Sequence, residues 1–180
     1  GGTNEAWAYG YDADDRMASV VKDASTVVEY GYDALGRRVW AKEPGSAAEV
    51  YFYDSEDRLQ TRRGSTIVET VLHGPGIDDY IGARDSGGAV RYMLTDGLGS
   101  VTERTTRAGS LTWRAEYEPF GAATAVYDPG GIGTGGYGYT GRVNDAATGL
   151  MSLEELKRAT CRLSWWGCCL LGVGGRSRRG

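Results

Sequence analysis

The residues that could carry catalysis or bind a metal ion are few in this sequence and lie far apart. His73 is the only histidine, and the three cysteines, Cys161, Cys168 and Cys169, all fall near the end. Their spacing does not match the paired cysteines of zinc sites, and His73 lacks the partner set of a base or metal ligand. We therefore expect no catalytic residue, no cofactor and no metal, and a structural role for His73.

The charged pattern that does recur is an aspartate followed four residues later by an arginine. It belongs to a unit Y-x-Y-D-x-x-x-R that occurs three times, each copy starting 21 residues after the last. Groups that recur in every repeat are normally scaffold, so we expect turn capping and cross-hairpin pairing rather than acid–base catalysis. The three copies contain Tyr9, Tyr11, Asp12 and Arg16; Tyr30, Tyr32, Asp33, Gly36 and Arg37; and Tyr51, Tyr53, Asp54 and Arg58.

Each copy of this unit predicts one β-hairpin. Side chains two apart on a strand point to the same face, so each tyrosine pair places two rings side by side. The aspartate then begins a turn, because its carboxylate accepts a backbone N–H bond two residues on, and Gly36 is free to adopt positive φ. Second turns follow at residues 22–25, 43–46 and 63–65. A lone hairpin is marginal in water, so the sequence predicts an all-β fold of stacked antiparallel hairpins.

Two roles are open for the ladder of tyrosine rings. The rings can form an aromatic row that packs the sheet. Alternatively, exposed rings can stack on the C–H surface of a sugar. The sequence does not say which face of the sheet is exposed, so both roles stay open.

Four further motifs follow the repeats in order. Residues 72–78 read L-H-G-P-G-I-D, residues 92–101 read Y-M-L-T-D-G-L-G-S-V, residues 116–121 read E-Y-E-P-F-G, and residues 139–150 read Y-T-G-R-V-N-D-A-A-T-G-L. Read locally, they predict strands over 90–95, 100–105 and 114–117, with a turn at 96–99 and a corner at 119–121. Their candidate positions are Tyr92, Asp96, Leu98, Gly99, Ser100, Tyr117, Pro119, Phe120, Gly121, Thr140, Gly141, Arg142, Asp145, Thr148, Gly149 and Leu150.

Together with the repeat, these motifs resemble the YD repeats and the repeat-associated core domain of Rhs and teneurin-like proteins, over about residues 5–150. The resemblance implies that such hairpins spiral into a hollow β-shell whose end the core closes. In bacterial members the shell encloses a C-terminal toxin. For this chain it implies a non-catalytic shell segment of a secreted or cell-surface protein, either a polymorphic toxin or a cell-contact protein. Its expected partners are adjoining YD repeats of the same parent chain, and an enclosed toxin or a cell-surface glycan.

Two alternatives to a purely structural role stay open. One is a surface adhesin that binds carbohydrate through its tyrosine ladder. The other is a self-cleaving core, which in the family needs a D-P-x-G segment after the last motif. The only Asp-Pro in this sequence, Asp128-Pro129, comes before that motif, so the cleavage segment is not expected here.

Charge separates the end of the chain from the rest. Residues 1–150 hold 14 Lys+Arg and 22 Asp+Glu, a net charge of −8, whereas residues 151–180 hold 6 and 2, a net charge of +4. The main body lacks the clustered basic face of nucleic-acid-binding proteins, and no apolar run reaches the roughly 20 residues of a membrane-spanning helix. We expect no nucleic-acid partner and no membrane span. We divide the chain into YD repeats at 5–70, a truncated core-like region at 71–150 and a divergent tail at 151–180.

The tail departs from the family pattern after Leu150. Residues 151–160 read M-S-L-E-E-L-K-R-A-T, in which Ser152 and Glu155 have capping-box spacing, so a short C-terminal helix is predicted. Three interpretations of the tail are open: a frameshift in the gene, a genuine variable segment, and a metal site built from the cysteines. The Gly-rich residues 130–138 predict a flexible loop rather than a phosphate-binding loop, since no Lys-Ser/Thr follows.

Overall fold

The computed structural model describes residues 5–76, 79–130, 136–145, 147–152 and 160–162, with 125, 151–152 and 160–162 described by their backbone alone. Within these ranges the fold is all-β, as the sequence predicts. Twelve of the described strands form one large antiparallel sheet in which each strand pairs with the next along the chain. They are β1 Trp7–Tyr11, β2 Met17–Lys22, β3 Ser25–Tyr32, β4 Arg38–Lys42, β5 Glu49–Asp54, β6 Asp57–Arg63, β7 Thr66–His73, β8 Tyr80–Asp85, β9 Val90–Thr95, β10 Val101–Thr106, β11 Leu111–Tyr117 and β12 Ala123–Tyr127.

The predicted repeats are the hairpins β1–β2, β3–β4 and β5–β6. In each of them the strand register shifts immediately before the second tyrosine. The same shift occurs between Leu72 and His73, where β7 pairs with β8. Residues 71–73 are therefore a fourth copy, in which Val71 and His73 occupy the two tyrosine positions. The sheet is continuous through β7, which spans the boundary predicted after residue 70.

Asp12 and Asp33 form the same five-residue turn. In each, Oδ1 accepts hydrogen bonds from the backbone N–H groups two and four residues on, at 2.9–3.0 Å. Oδ2 accepts a bond from Nε of the repeat arginine, Arg16 or Arg37, at 2.8 Å. Gly36, immediately before Arg37, has φ of 85°, a conformation that glycine adopts without strain. The spacing of four residues between aspartate and arginine is thus the length of this turn.

The same turn recurs at Asp96, while the third repeat departs from it. Oδ1 of Asp96 accepts bonds from the N–H groups of Leu98 and Ser100 at 2.9 Å, so Ser100 takes the arginine position. Asp54 instead pairs with Asp57 across a shorter turn, and its side chain makes no hydrogen bond within the described residues. The shorter turn changes the position of the arginine that follows.

Replacing Asp33 with alanine should lower the free energy of unfolding by about 2 kcal/mol, because the turn loses an acceptor of several charge-assisted hydrogen bonds. The matched control is Asp54→Ala, which alters the same motif position without removing such bonds. It should cost less than about 0.5 kcal/mol. Urea denaturation of both variants measures the difference, and equal losses would contradict the role assigned to Asp33.

One face of the large sheet, which we call the inner face, carries the core. The tyrosine pairs point to it, with Tyr30 6% and Tyr51 8% exposed. The rings of the first repeat are more open, at 37% for Tyr9 and 56% for Tyr11. The tyrosines of the second and third repeats therefore pack the sheet. Other buried residues of this face are Val20, Val28, Val71, Met93, Val101, Trp113 and Ala115.

A second, smaller sheet lies against the inner face. Within the described ranges it contains β13 Gly136–Tyr137, β14 Val143–Asn144, β15 Leu150–Ser152 and β16 Thr160–Arg162, with a 3-10 turn at Tyr139–Gly141. We call the described part of residues 136–150 the strap. Tyr137 and Val143 pack in the cluster around Trp113, while Leu150 packs with Val20 and Val28. The strap therefore joins the two halves of the large sheet.

The predicted C-terminal helix is wrong at both of its ends. Met151 and Ser152 lie in β15, and Ser152 pairs with Thr160 of β16, so the first two residues and the last residue of the predicted helix are in strands. Residues 153–159 of the predicted helix lie outside the described residues. An isolated helix of ten residues is marginal in water, and the burial of Leu150, 2% exposed, holds the chain extended where the helix was expected to begin.

The Gly-rich loop predicted over 130–138 is also wrong in part. Gly136 and Tyr137 form β13, and Tyr137 is 2% exposed. A large aromatic side chain in a glycine-rich stretch buries enough apolar surface to order its own backbone. Residues 131–135 lie outside the described residues.

Candidate functional site

Arginine and tyrosine side chains alternate across the inner face. We call Tyr30, Arg38, Tyr51, Arg58 and Tyr137 the Tyr-Arg column. The guanidinium carbon of Arg38 lies 4.8 Å from the ring centroid of Tyr30 and 5.8 Å from that of Tyr51. That of Arg58 lies 4.8 Å from Tyr51 and 5.3 Å from Tyr137. Each cation is thus within cation–π distance of two aromatic rings.

Strand register places both arginines of the column. Arg38 pairs with Tyr32 across β3–β4, and Arg58 pairs with Tyr53 across β5–β6. The short third turn therefore makes Arg58 the equivalent of Arg38, although it shares its motif position with Arg37. The backbone carbonyl at this position accepts a bond from the next copy of the repeat. The bonds are Tyr32 Oη to Met17 O at 2.8 Å, Tyr53 Oη to Arg38 O at 2.8 Å, and His73 Nε2 to Arg58 O at 3.1 Å.

In the fourth copy, His73 thus makes the hydrogen bond that Tyr32 and Tyr53, the second tyrosines of their repeats, make. Because its partner is a carbonyl, Nε2 must carry the proton. The imidazole also contacts the ring of Tyr80, with centroids 4.7 Å apart. Its Nδ1 lies 3.6 Å from Oδ1 of Asp57, beyond hydrogen-bond distance. These contacts describe a structural histidine.

Asp145 of the strap closes one end of the Tyr-Arg column. Its Oδ2 accepts a hydrogen bond from Tyr30 Oη at 2.8 Å and one from Arg38 Nη1 at 3.1 Å. Its Oδ1 accepts a bond from the N–H of Ala147 at 3.0 Å. The Arg38 and Asp145 side chains are 14% and 10% exposed, so this ion pair is largely shielded from water.

The motifs at residues 92–101 and 116–121 hold another part of the strap. Ser100 Oγ accepts a bond from the N–H of Thr140 at 3.0 Å, and Tyr139 Oη donates to Pro119 O at 2.8 Å. The Tyr139 ring covers Gly121, where an added Cβ would lie 2.5 Å from it.

Bonds within the strap fix its own shape. Near its end, the N–H of Gly149 donates to Asp145 O at 2.8 Å, and Thr148 Oγ1 accepts from the N–H of Leu150. At the 3-10 turn, Arg142 O accepts from Gly138, and Gly141 has φ of 70°. Residues of the motifs at 92–101, 116–121 and 139–150 therefore position the strap.

The arginines of the first two turns bridge to the following repeat. Nη1 of Arg16 donates to Asp33 O at 3.0 Å, and its guanidinium lies 5.0 Å from the Tyr32 ring. Arg37 repeats the arrangement: it donates to the carbonyl of Ser55 and lies 5.1 Å from the Tyr53 ring. Each repeat is thereby tied to its neighbour by a hydrogen bond and a ring contact.

Burial raises the pKa of the tyrosines on the inner face. It does so for Tyr32 and Tyr51, and for Tyr30 the carboxylate of Asp145 adds to the effect. The pKa of Tyr117, whose hydroxyl donates to Val101 O at 2.7 Å, rises from 10.0 to about 12. A phenol whose pKa is higher in the folded chain stabilises the fold below its unfolded pKa. That stability is lost as pH rises, because the unfolded chain loses its proton first.

Tyr117→Phe should flatten the loss of stability between pH 10 and about 12, the window set by the Tyr117 pKa. At neutral pH the variant should be less stable by about 1 kcal/mol, since one hydrogen bond to Val101 is lost. Denaturation at a series of pH values measures both effects. Parallel curves for the variant and the unaltered chain would show that Tyr117 does not contribute to alkaline unfolding.

Several predicted positions lie outside the column. Tyr92 is 40%, Leu98 68% and Phe120 82% exposed. Sugar stacking is open only to the exposed Tyr9 and Tyr11 among the repeat tyrosines, because the Tyr30, Tyr32, Tyr51 and Tyr53 rings contact guanidinium groups.

Sequence reasoning did not single out four residues of the inner face, Arg38, Arg104, Trp113 and Tyr137. Arg38 was masked by its neighbour Arg37, and Tyr137 lay in a predicted loop. Arg104 stacks 4.4 Å from the Trp113 ring and donates to Tyr137 O at 3.1 Å. Successive side chains of a strand point to opposite faces of the sheet, so two adjacent arginines in the second repeat cannot both point away from the core. This was the available signal for Arg38.

The described residues include no cluster of three or more His, Cys, Asp and Glu that could hold a metal ion. In the same part of the chain there is no helix long and apolar enough to cross a membrane.

A family model described as Teneurin YD-shell matches residues 2–162. Among solved structures, the chain is similar to the Tc holotoxin pore of Photorhabdus luminescens carrying a mutated TccC3, with 18% identity and a TM-score of 0.55. It is also similar to the crystal structures of TcdB2-TccC3, with 18% identity and a TM-score of 0.51, and of TcdB2-TccC3-TEV, with 16% and 0.53. Each match covers 81% of this chain but only 8% of the solved chain. No curated protein matches.

Proposed function

The chain belongs to the teneurin YD-shell family, a family of structural shells, and we propose that it forms part of the wall of a closed β-shell rather than an enzyme. The parent protein would be a secreted or cell-surface toxin or cell-contact protein. We keep the proposed division into YD repeats at 5–70, a core-like region at 71–150 and a divergent tail at 151–180.

The observation that carries this proposal is the bridging by Arg16 and Arg37. Each arginine completes a turn of its own repeat and bonds the turn of the next one. The arginine of such a repeat bonds its own turn in any case, and it makes its second bond, to a backbone carbonyl, only when another repeat follows. Upstream, the exposed Tyr11 ring has the position that the arginine of a preceding repeat would cover. Adjoining YD repeats of the parent chain are therefore the proposed partners of the β1 edge.

A protein cargo is the proposed second partner. A cleft lined by residues of the inner face and of the strap is the proposed place of contact with the cargo. The solved neighbours belong to toxin complexes, which supports an enclosed C-terminal toxin in the parent protein. A glycan-binding role would have to use Tyr9 and Tyr11, the same rings that a preceding repeat would cover.

The test is to fuse a copy of residues 25–45 ahead of residue 4, which adds one repeat in the 21-residue register. The added arginine, the copy of Arg37, should bond the Asp12 carbonyl and cover Tyr11. The midpoint and the m-value of urea unfolding should both rise, because the added repeat unfolds with the sheet.

The control fusion carries methionine at the added arginine and should gain less stability. If the fused repeat leaves the unfolding transition of the chain unchanged, the β1 edge does not receive a YD repeat and the proposal fails.

A further inference from the structure

A cleft of about 640 Å³ lies between the inner face and the strap. Tyr51, Arg58 and Thr61 line it on the sheet side, and Asn144 and Asp145 line it on the strap side. We call it the Arg58 cleft. It is open to solvent at the rim formed by Glu49 and Arg63.

Five cations and five carboxylates line the Arg58 cleft, and among the described residues the ones without an ion pair are Lys42, Glu43, Arg58 and Asp85. Three of its arginines are paired with carboxylates: Arg38 with Asp145 at 3.1 Å, Arg63 with Glu49 at 2.6 Å, and Arg91 with Glu69 at 3.5 Å. Arg58 makes no ion pair with any carboxylate of the described residues. A cation held away from bulk water without a counter-ion is costly, so this position favours an anion.

The rings beside the Arg58 guanidinium group cover its faces, so a ligand can approach it only at its edge. Tyr51 and Tyr137 lie at 4.8 and 5.3 Å from the guanidinium carbon. Its Nε is buried and has no hydrogen-bond partner among the described atoms. The pKa of Arg58 is raised, since the neighbouring tyrosines outweigh the opposing effect of burial, so the group is a permanent cation. A planar guanidinium with covered faces presents N–H donors only within its plane.

The chemistry of the cleft selects a singly charged, planar anion. A carboxylate matches the guanidinium fork with two parallel hydrogen bonds. A doubly charged phosphate would meet the acidic side chains of Glu43, Glu49 and Asp85, which line the same cleft. Like charges at this separation oppose binding of a dianion.

We propose that Arg58 binds a carboxylate of a peptide segment that enters the cleft, either an Asp or Glu side chain or a C-terminal carboxyl group. The peptide source rests on the proposed shell function, in which the inner face meets a protein cargo. The site would hold a single acidic residue of that cargo, beside the paired charges of the rim.

The experiment titrates the isotope-labelled full chain with blocked tripeptides and follows the Arg58 Nε–H signal by NMR. The tripeptides are Gly-Glu-Gly amide, its Gly-Gln-Gly counterpart, and Gly-Gly-Gly with a free carboxyl end. Either carboxylate peptide should move the signal to saturation, and comparing the two identifies the preferred source. The glutamine peptide should not move it.

Variants on β6 provide the controls, with binding read from the backbone amide signals of that strand. Arg58→Lys keeps the charge but loses the fork, and should weaken binding about tenfold. Arg62→Met removes a cation of the same strand that lies outside the cleft, 5.1 Å from the Phe52 ring, and should change affinity less than about twofold.

Equal shifts with the glutamine peptide, or tighter binding of inorganic phosphate than of the carboxylate peptides, would overturn the proposal. These outcomes are independent of the fused-repeat experiment, which concerns the β1 edge and does not involve Arg58. A shell segment that accepts a further repeat but binds no carboxylate would retain the proposed function without this site.

Discussion

Replacing Asp145 with alanine is expected to lower the free energy of unfolding by about 3–4 kcal/mol, because it breaks a buried ion pair from one side. Asp145 accepts bonds from Tyr30 and from Arg38 on one carboxylate oxygen. Without it, the Arg38 cation and the Tyr30 hydroxyl stay shielded from water and lose their acceptor. The strap also loses these two bonds to the first half of the sheet, where the packing of Leu150 with Val20 and Val28 remains.

Urea denaturation and amide hydrogen exchange measure these two effects. The amide of Thr140, bonded to Ser100 Oγ, should exchange faster in the variant than in the unaltered chain. The matched control is Asp14→Ala, which breaks an ion pair to Arg16 in which Asp14 is 72% exposed. It should cost less than about 1 kcal/mol. Equal losses in the two variants would show that Asp145 does not anchor the strap.

Replacing Trp113 with alanine is expected to cost about 3–5 kcal/mol, the range for removing a buried aromatic side chain. Trp113 is 1% exposed and lies in the core cluster with Val101 and Tyr137. Its ring also covers the guanidinium of Arg104, which would then face a cavity. The second half of the large sheet should unfold first.

Trp40→Ala is the control for this prediction. Trp40 is half-buried on the opposite face of the sheet, where it lies over Gly31. Its removal opens space to solvent rather than a closed cavity, so the loss should be about 1–2 kcal/mol. Urea unfolding of both variants decides the point. A larger loss for Trp40 would place the main core on the other face of the sheet.

Local sequence predicted the hairpins well because their signals are short-range. The turn at Asp33 is held by bonds between residues two and four apart, and β4 begins directly after it at Arg38. The strand predicted over 90–95 matches β9, Val90–Thr95. The all-β fold of stacked hairpins is confirmed.

The same short-range rules failed where pairing partners were distant. The capping-box spacing at Ser152 predicted a helix, but the backbone there is a strand paired with Thr160. The motif spacing also grouped Arg58 with Arg37, whereas one shorter turn aligned it with Arg38. A motif position and a structural position coincide only when every turn has the same length.

The sequence by itself determined the repeat, the common face of the two tyrosines in each pair, and the chemistry of the Asp-Arg turns. These features depend on neighbours within a few residues. Only the tertiary structure decided that the pairs face a core and that the strap crosses it. The bonds of Asp145 join residues 115 and 107 positions apart, to Tyr30 and Arg38. No periodicity reports contacts at such separations, since they arise from the packing of the strap on the completed sheet.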